Sequence, residues 1–338
     1  MQTLTHSLEQ IAERLKKAER ICIVGHLNPD GDCIGSMLAL RYLLVQQGKT
    51  ADVYDRDPAP GYMKYLHGFD SIRPLSSLQA TYDVMVSVDC AGLDRIVDVK
   101  NPEQNAWLER MLASSTCHLQ IDHHGTNPMD MDINAVDGDA SAAGILIWKL
   151  SRILGFEMDT ILAECLYTAV STDTGNFMQD NTSAECFDLM SEIARTQIRL
   201  PQICRILFAQ RSHGQVGLIT RALQTLRYAE ADTVTGMLLT AEDMQACQAL
   251  PEDADTVVNF SRDIRGVHMT VLARESPEGV KMSFRSIAPW KIDMVARSFG
   301  GGGHAHAAGC TVRDKTAAEA LDAAMNALIL AHRAQEEK

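Results

Sequence analysis

Four short stretches of the chain gather residues that can hold cations or carry protons. They are HLNPDGD (26–32), Asp89 in VSVDCAG, Asp122-His123-His124 in IDHHGTN, and Asp173 in STDTGNF. Carboxylate oxygen and neutral imidazole nitrogen suit Mn²⁺, and Mg²⁺ or Zn²⁺ with a looser fit. The candidate ligands outnumber what one ion needs. Two ions sharing a bridging carboxylate match the supply, and such pairs catalyse in-line displacement at phosphorus. Carboxylates crowded together without a cation repel one another and raise each other's pKa. Each stretch also has an ordinary reading. Asp32 suits the N-cap of a helix starting near Ile34, and Asn28-Pro29-Asp30-Gly31 suits a tight turn. Those readings account for each stretch singly and leave their common placement unexplained.

That placement comes from the elements around them. Apolar runs at 20–25, 51–54, 83–88 and 117–121 predict buried parallel strands. Helical patterns follow at 34–47, 141–154, 159–171 and 183–196. The order predicts an α/β domain over residues 1–195, with a mainly parallel sheet flanked by helices. Three of the four stretches then sit at the C-terminal end of a strand, where open α/β sheets carry their ligand crevice. Residues 196–214 read as a linker in which Pro201 starts a short helix. Residues 215–338 read as a smaller α+β domain, with helices at 215–229, 292–299 and 315–333 and strands at 233–240, 267–274 and 279–285. A cleft between the two domains is expected.

The 338 residues are 46% hydrophobic and 22% charged, as in a soluble globular protein, and carry a net charge of −13. That charge argues against tight binding to long duplexes, which needs many Lys and Arg on phosphates. It leaves room for short nucleotide substrates neutralised by metal ions and a few arginines. No apolar run reaches the length of a membrane span, and the first residues lack the apolar core of a signal peptide. A cytoplasmic location is expected. Nine scattered cysteines without a C-x-x-C pair read as buried, reduced thiols and not as a zinc site. The helix-rich segment 201–230 is compatible with a homodimer.

The four stretches, in order, resemble the motifs of the DHH phosphoesterase superfamily, and GGGGHAHAAG (300–309) resembles the glycine-histidine motif of its DHH-associated domain. Length and domain pairing are most similar to the branch of bacterial bifunctional oligoribonucleases and pAp phosphatases. The resemblance implies two divalent ions, Mn²⁺ by preference. His26, Asp30 and Asp89 would hold one, and Asp32, Asp89, His123 and Asp173 the other, with a hydroxide between them attacking phosphorus. It implies that His124 acts near the scissile phosphate and that Asp122 orients the motif. Asn28 is given only a turn or supporting role. In the second domain Gly302, Gly303 and His304 would hold the far end of the substrate. Arg285, in Ser283-Phe284-Arg285-Ser286, offers a bidentate phosphate contact, and Arg262 is a weaker candidate. Glycines let backbone N–H groups approach a phosphate closely. His306 is read as a solvent-facing strand residue. The implied activity is hydrolysis of short RNA oligonucleotides to 5′-mononucleotides and of pAp to AMP. The alternative is cleavage of cyclic dinucleotides or their linear products: c-di-AMP, pApA or pGpG.

Overall fold

A computed structural model of the chain describes residues 2–303 and 305–336. It divides into two compact units, Met1–Gln210 and Arg211–Lys338, and the division falls inside the segment 196–214.

In the first unit the strands β1 (Arg20–Val24), β2 (Thr50–Asp55), β3 (Ile72–Pro74), β4 (Val84–Val88), β5 (His118–Asp122) and β6 (Ile133–Val136) form one parallel sheet in the order β3-β2-β1-β4-β5-β6. Its helices are α1 (Gln2–Lys17), α2 (Gly31–Gln46), α3 (Pro102–Ala113), α4 (Ala143–Ile153), α5 (Thr160–Asp173), α6 (Ala184–Arg195) and α7 (Leu200–Cys204). The chain leaves β1 toward β2 and β3, then crosses back to lay β4 on the other side of β1. This makes the C-terminal ends of β1 and β4 the switch point, where a doubly wound sheet opens a crevice.

The predicted strands are present with ends shifted by a residue or two. β3 and β6 escaped prediction because they are short edge strands with half-exposed residues and no apolar run. α3 was missed despite Asn101 at its N-cap and Pro102 in its first turn. Helix α2 starts at Gly31, three residues before the expected point, because Asp30 caps it, not Asp32. The Asp30 Oδ1 accepts from the N–H of Asp32 at 3.0 Å and of Cys33 at 3.1 Å.

Helices α2, α4 and α5 pack with almost no side chain between them. A Cβ on Gly35 would lie 2.5 Å from the Cys165 carbonyl and 2.9 Å from the Ala169 nitrogen; one on Gly144 would lie 2.7 Å from the Ala169 Cβ; one on Gly31 would collide with Thr172. These contacts draw the start of α2, the start of α4 and the end of α5 to one point.

The second unit has its own core and a mixed sheet in the order β11-β12-β10-β9-β8-β7. Its strands are β7 (Arg227–Ala229), β8 (Val234–Leu239), β9 (Met269–Ser276), β10 (Gly279–Ser286), β11 (Gly302–Gly303) and β12 (Ala307–Val312), and only β8 and β9 pair in parallel. Helices α8 (His213–Gln224), α9 (Ala241–Ala246), α10 (Asn259–Arg262), α11 (Asp293–Ser298) and α12 (Ala317–Glu336) complete it. The helix expected over 215–229 stops at Gln224, and 227–229 joins the sheet by pairing with β8. Among the described residues no helix is long and apolar enough to cross a membrane, and all nine cysteines are free thiols.

Gly35→Ala is expected to destabilise the protein by about 1–3 kcal/mol through overpacking. Gly125→Ala, where the added Cβ meets nothing within 4 Å, is expected to stay within about 0.5 kcal/mol. Urea unfolding of the two variants checks the contrast.

Candidate metal centre

Asp89 follows β4 directly, and its backbone is in the left-handed region at φ 54°. For a non-glycine residue that conformation costs about 1–3 kcal/mol and is held only when the surroundings enforce it. Its N–H donates to the Ile121 carbonyl at 3.0 Å. The turn sends the carboxylate into the crevice, where Oδ2 lies 3.4 Å from the His26 Nε2 and Oδ1 lies 3.3 Å from the His123 Nε2. The residue is buried, and Oδ1 has no hydrogen-bond partner.

Both imidazoles are turned by the backbone. The Nδ1–H of His26 donates to the Leu27 carbonyl at 2.8 Å, and that of His123 to the Ala140 carbonyl at 3.3 Å. Each ring thereby presents Nε2 to the crevice, the arrangement in which histidines bind metals. The His26 Nε2 is 3.8 Å from the Asp30 Oδ1. The His123 Nε2 is 3.7 Å from both the Asp32 Oδ2 and the Asp173 Oδ2. Asp30 and Asp32, two residues apart, thus face different histidines.

Asp32 does cap a helix, but not its own. Helix α4 begins after Ala142, which has no capping side chain. The Asp32 carboxylate accepts instead from Ala143 N–H at 2.6 Å, Gly144 N–H at 2.9 Å and the Ser36 hydroxyl at 2.8 Å. The bonds from Gly144 and Ser36 fall on Oδ1, so Oδ2 keeps one acceptor site toward His123. Asp173, the last residue of α5, is held by Asn181, whose Nδ2 donates to the Asp173 carbonyl at 3.1 Å and to its Oδ2 at 3.4 Å. Asp122 ties down His124: its Oδ1 accepts from the His124 Nδ1–H at 2.7 Å while its Oδ2 accepts from Asn127 at 2.6 Å.

Protons compete for this site. Burial, followed by the charge of Asp89, pushes the Asp32 carboxyl up to about 7. Burial also raises Asp173 well above the carboxylate range, with Asp32, Asp30 and Asp89 adding to it. Burial opposes charge on the imidazoles, yet Asp89 and Asp173 carry His123 up to about 11, and Asp30 and Asp89 raise His26. Asp89 is lowered, since the neighbouring His123 and His26 imidazoles outweigh its burial. Four carboxylates share two imidazoles. An orphaned buried oxygen on Asp89 and a donor set made mainly of carboxylate oxygens and imidazole nitrogens fit divalent cations.

Two residues here went unnoticed in the sequence. Cys33 brings its thiol within 4.8 Å of ligand atoms on His26 and Asp89. Asp55 ends β2 with a buried carboxylate whose Oδ2 lacks a partner and whose pKa burial raises to about 7. Asp55 had a readable signal, an acid at the end of an apolar strand like Asp89. Cys33, directly after Asp32, adjoined the HLNPDGD stretch but was read only as one of nine buried thiols.

The second unit holds the other candidates. Arg285 is half-buried, its Nη1 bonded to the Phe284 carbonyl at 2.8 Å, and burial followed by the nearby Arg262 lowers its pKa to about 10. Arg262 itself is paired with Asp263 at 2.8 Å. Gly302 and Gly303 form β11 against β12. A Cβ on Gly303 would lie 2.5 Å from the Ala307 carbonyl, and one on Gly301 would strike the Gly309 carbonyl, while Gly302 has open space. Close strand packing therefore accounts for Gly301 and Gly303, while Gly300 and Gly302 keep the room expected of a phosphate cradle. His304 lies outside the described residues. His306 is half-buried and not free in solvent: its Nδ1–H donates to the Trp290 carbonyl at 2.9 Å.

A switch-point cluster of carboxylates and imidazoles on a doubly wound sheet, followed by a separate mixed-sheet unit, defines a two-unit α/β protein with a candidate metal centre. Residues 20–170 match the DHH family, N-terminal domain, and residues 246–331 match the DHHA1 domain. The chain belongs to the DHH family of phosphoesterases, which are hydrolases. It is 31% identical over 320 residues to the bifunctional oligoribonuclease and PAP phosphatase NrnA of Thermus thermophilus, covering 94% of this chain and 92% of that one. It is 23% identical to the Bacillus subtilis protein of the same name, over 93% and 96% of the two chains. An exopolyphosphatase-related protein from Bacteroides fragilis superposes with a TM-score of 0.87 at 26% identity, over 96% and 95% of the chains.

Asn181→Ala is expected to weaken divalent-cation binding at the Asp173 side of the cluster about 10- to 100-fold by releasing Asp173, read by calorimetric titration with Mn²⁺. A second expectation concerns pH. His123, His26, Asp32 and Asp173 all bind protons more tightly folded than unfolded, so the stability they contribute is lost as pH rises. Chelator-treated protein should melt at a lower temperature at about pH 8.5 than at about pH 6.5, and saturating Mn²⁺ should remove most of the difference. A melting temperature that rises over that interval would contradict the assignment.

Proposed function

We propose that the protein hydrolyses short RNA oligonucleotides to 5′-mononucleotides and pAp to AMP, in the cytoplasm, using two divalent ions, Mn²⁺ by donor chemistry. The observation that carries this is Asp89, whose two oxygens face two different histidines at 3.4 and 3.3 Å. His26, Asp30 and Asp89 would hold one ion, and Asp32, Asp89, His123 and Asp173 the other. Bound there, the ions would activate water as nucleophile and neutralise charge on the phosphate. Asp122 and Asn127 fix the His124 ring, which would hold a proton near the leaving oxygen. Arg285, with Gly302, Gly303 and His304, would bind the far phosphate or base. Arg262 would serve mainly as the neighbour that keeps positive charge near Arg285.

The substrate class is supported by the names of the relatives and by the net charge of −13, which disfavours tracking along long nucleic acid. The test is a Mn²⁺ assay on a dinucleotide, a pentanucleotide, a long single strand, pAp and c-di-AMP. The dinucleotide should show the highest kcat/KM, with pAp also cleaved. Asp89→Ala and His123→Ala should each lower it by about 10³-fold or more, the several kcal/mol of charge stabilisation such ions supply. Preference for the long strand or for c-di-AMP would contradict the proposal.

A further inference from the structure

Three rings in the second unit form an assembly for which the hydrolytic reading has no use. His268 and His332 meet edge to edge, Nδ1 to Nε2 at 2.8 Å, with centroids 5.1 Å apart and 18° between planes. The Trp290 indole lies nearly parallel to both, 4.6 Å from His268 at 11° and 4.1 Å from His332 at 14°. His332, on α12, is 1% exposed. Its Nδ1 has no hydrogen-bond partner, and the Glu336 carboxylate is 3.8 Å away. An apolar side chain there would avoid the cost of burying an imidazole. What the pair adds is geometry: one hydrogen bond fixes both rings in nearly one plane and makes a flat seat for the indole.

The Trp290 main chain is tied to the substrate elements. Its carbonyl accepts from the Ser286 hydroxyl at 2.6 Å and from the His306 Nδ1–H at 2.9 Å. The Ser286 N–H donates to the His306 carbonyl at 3.1 Å, Ile287 N–H to the His268 carbonyl at 3.1 Å, and Ile292 N–H to the Ala305 carbonyl at 2.8 Å. Ser286 adjoins Arg285, and residues 305–306 follow the glycine run. The loop 287–292 has little apolar burial at its start, where Ile287 is 43% exposed. Its end is held by buried Ile292 and by Gln335, which bonds the Lys291 N–H and carbonyl at 2.8 and 3.0 Å, and the indole on its imidazole seat adds the hold at its middle.

We propose that the His268–His332 pair, roofed by Trp290, is a positioning device that keeps Arg285 and the glycine run in register to bind the far end of an oligonucleotide. The inference rests on the substrate reading above. The three residues act through others and are not catalytic.

The test compares a dinucleotide with bis(p-nitrophenyl) phosphate, a diester that has no nucleotide to hold, in Trp290→Ala, His332→Leu and Trp290→Phe. For Trp290→Ala and His332→Leu the dinucleotide KM should rise about tenfold with kcat within about twofold, the mark of lost uniform binding. Hydrolysis of the model diester should be unchanged, and Trp290→Phe should restore most of the KM. An unchanged dinucleotide KM in both disruptive variants would overturn the device while leaving the substrate reading intact. Equal loss on both substrates, unrelieved by Trp290→Phe, would also overturn it, since that is a general folding defect. A wild-type enzyme that cleaves the diester but neither oligonucleotide nor pAp would overturn both.

Discussion

The site depends on one carboxylate divided between two imidazoles. Asp89 can face His26 and His123 together because β4 lies between β1 and β5 in the sheet, so the residues following these three parallel strands emerge side by side. The left-handed backbone at Asp89 turns its side chain into the crevice. The local cost is about 1–3 kcal/mol, carried by a buried sheet whose middle strand β4 is buried along its whole length. A shift of one residue in any of these strands would turn the ligand to the opposite face.

Helix packing supplies the rest. Glycines at 31, 35 and 144 let α2, α4 and α5 meet at near-backbone contact, and this brings Asp32 and Asp173 to His123. Asp32 then serves two structures at once, satisfying the first N–H groups of α4 and pointing an oxygen at His123. A helix N-terminus favours an anion, but burial and the other carboxylates push the other way. The site is thus electrostatically poised: the fold gathers four carboxylates around two imidazoles, and a divalent cation would relieve what the protein alone meets with protons.

Much of this was legible in the sequence because buried parallel strands read as apolar runs, and a polar residue that ends one stands out. His26, Asp89 and His123 were found on that basis and Asp173 from its place at the end of a helical pattern, and the structure brings them together with Asp30 and Asp32. The identity of the α2 cap was not legible. Asp30 and Asp32 are the same residue type two positions apart, and only the extended backbone at Asp30 decides between them. Asp55 escaped because its strand was read one residue short. The glycine run read as a loose cradle, whereas the need of Gly301 and Gly303 for space against β12 comes from pairing that local sequence does not encode. His306 was misjudged for the same reason, its partners at Ser286 and Trp290 being 20 and 16 residues away.

The central claim is that Asp89 bridges two ions while Asp30 and Asp32 divide between them. Anomalous scattering from Mn²⁺-soaked crystals tests it most directly. The account predicts two peaks, both within bonding distance of the Asp89 carboxylate, with His26 and Asp30 on one and Asp32, His123 and Asp173 on the other. A single peak, or two peaks with Asp30 and Asp32 on the same ion, would contradict it.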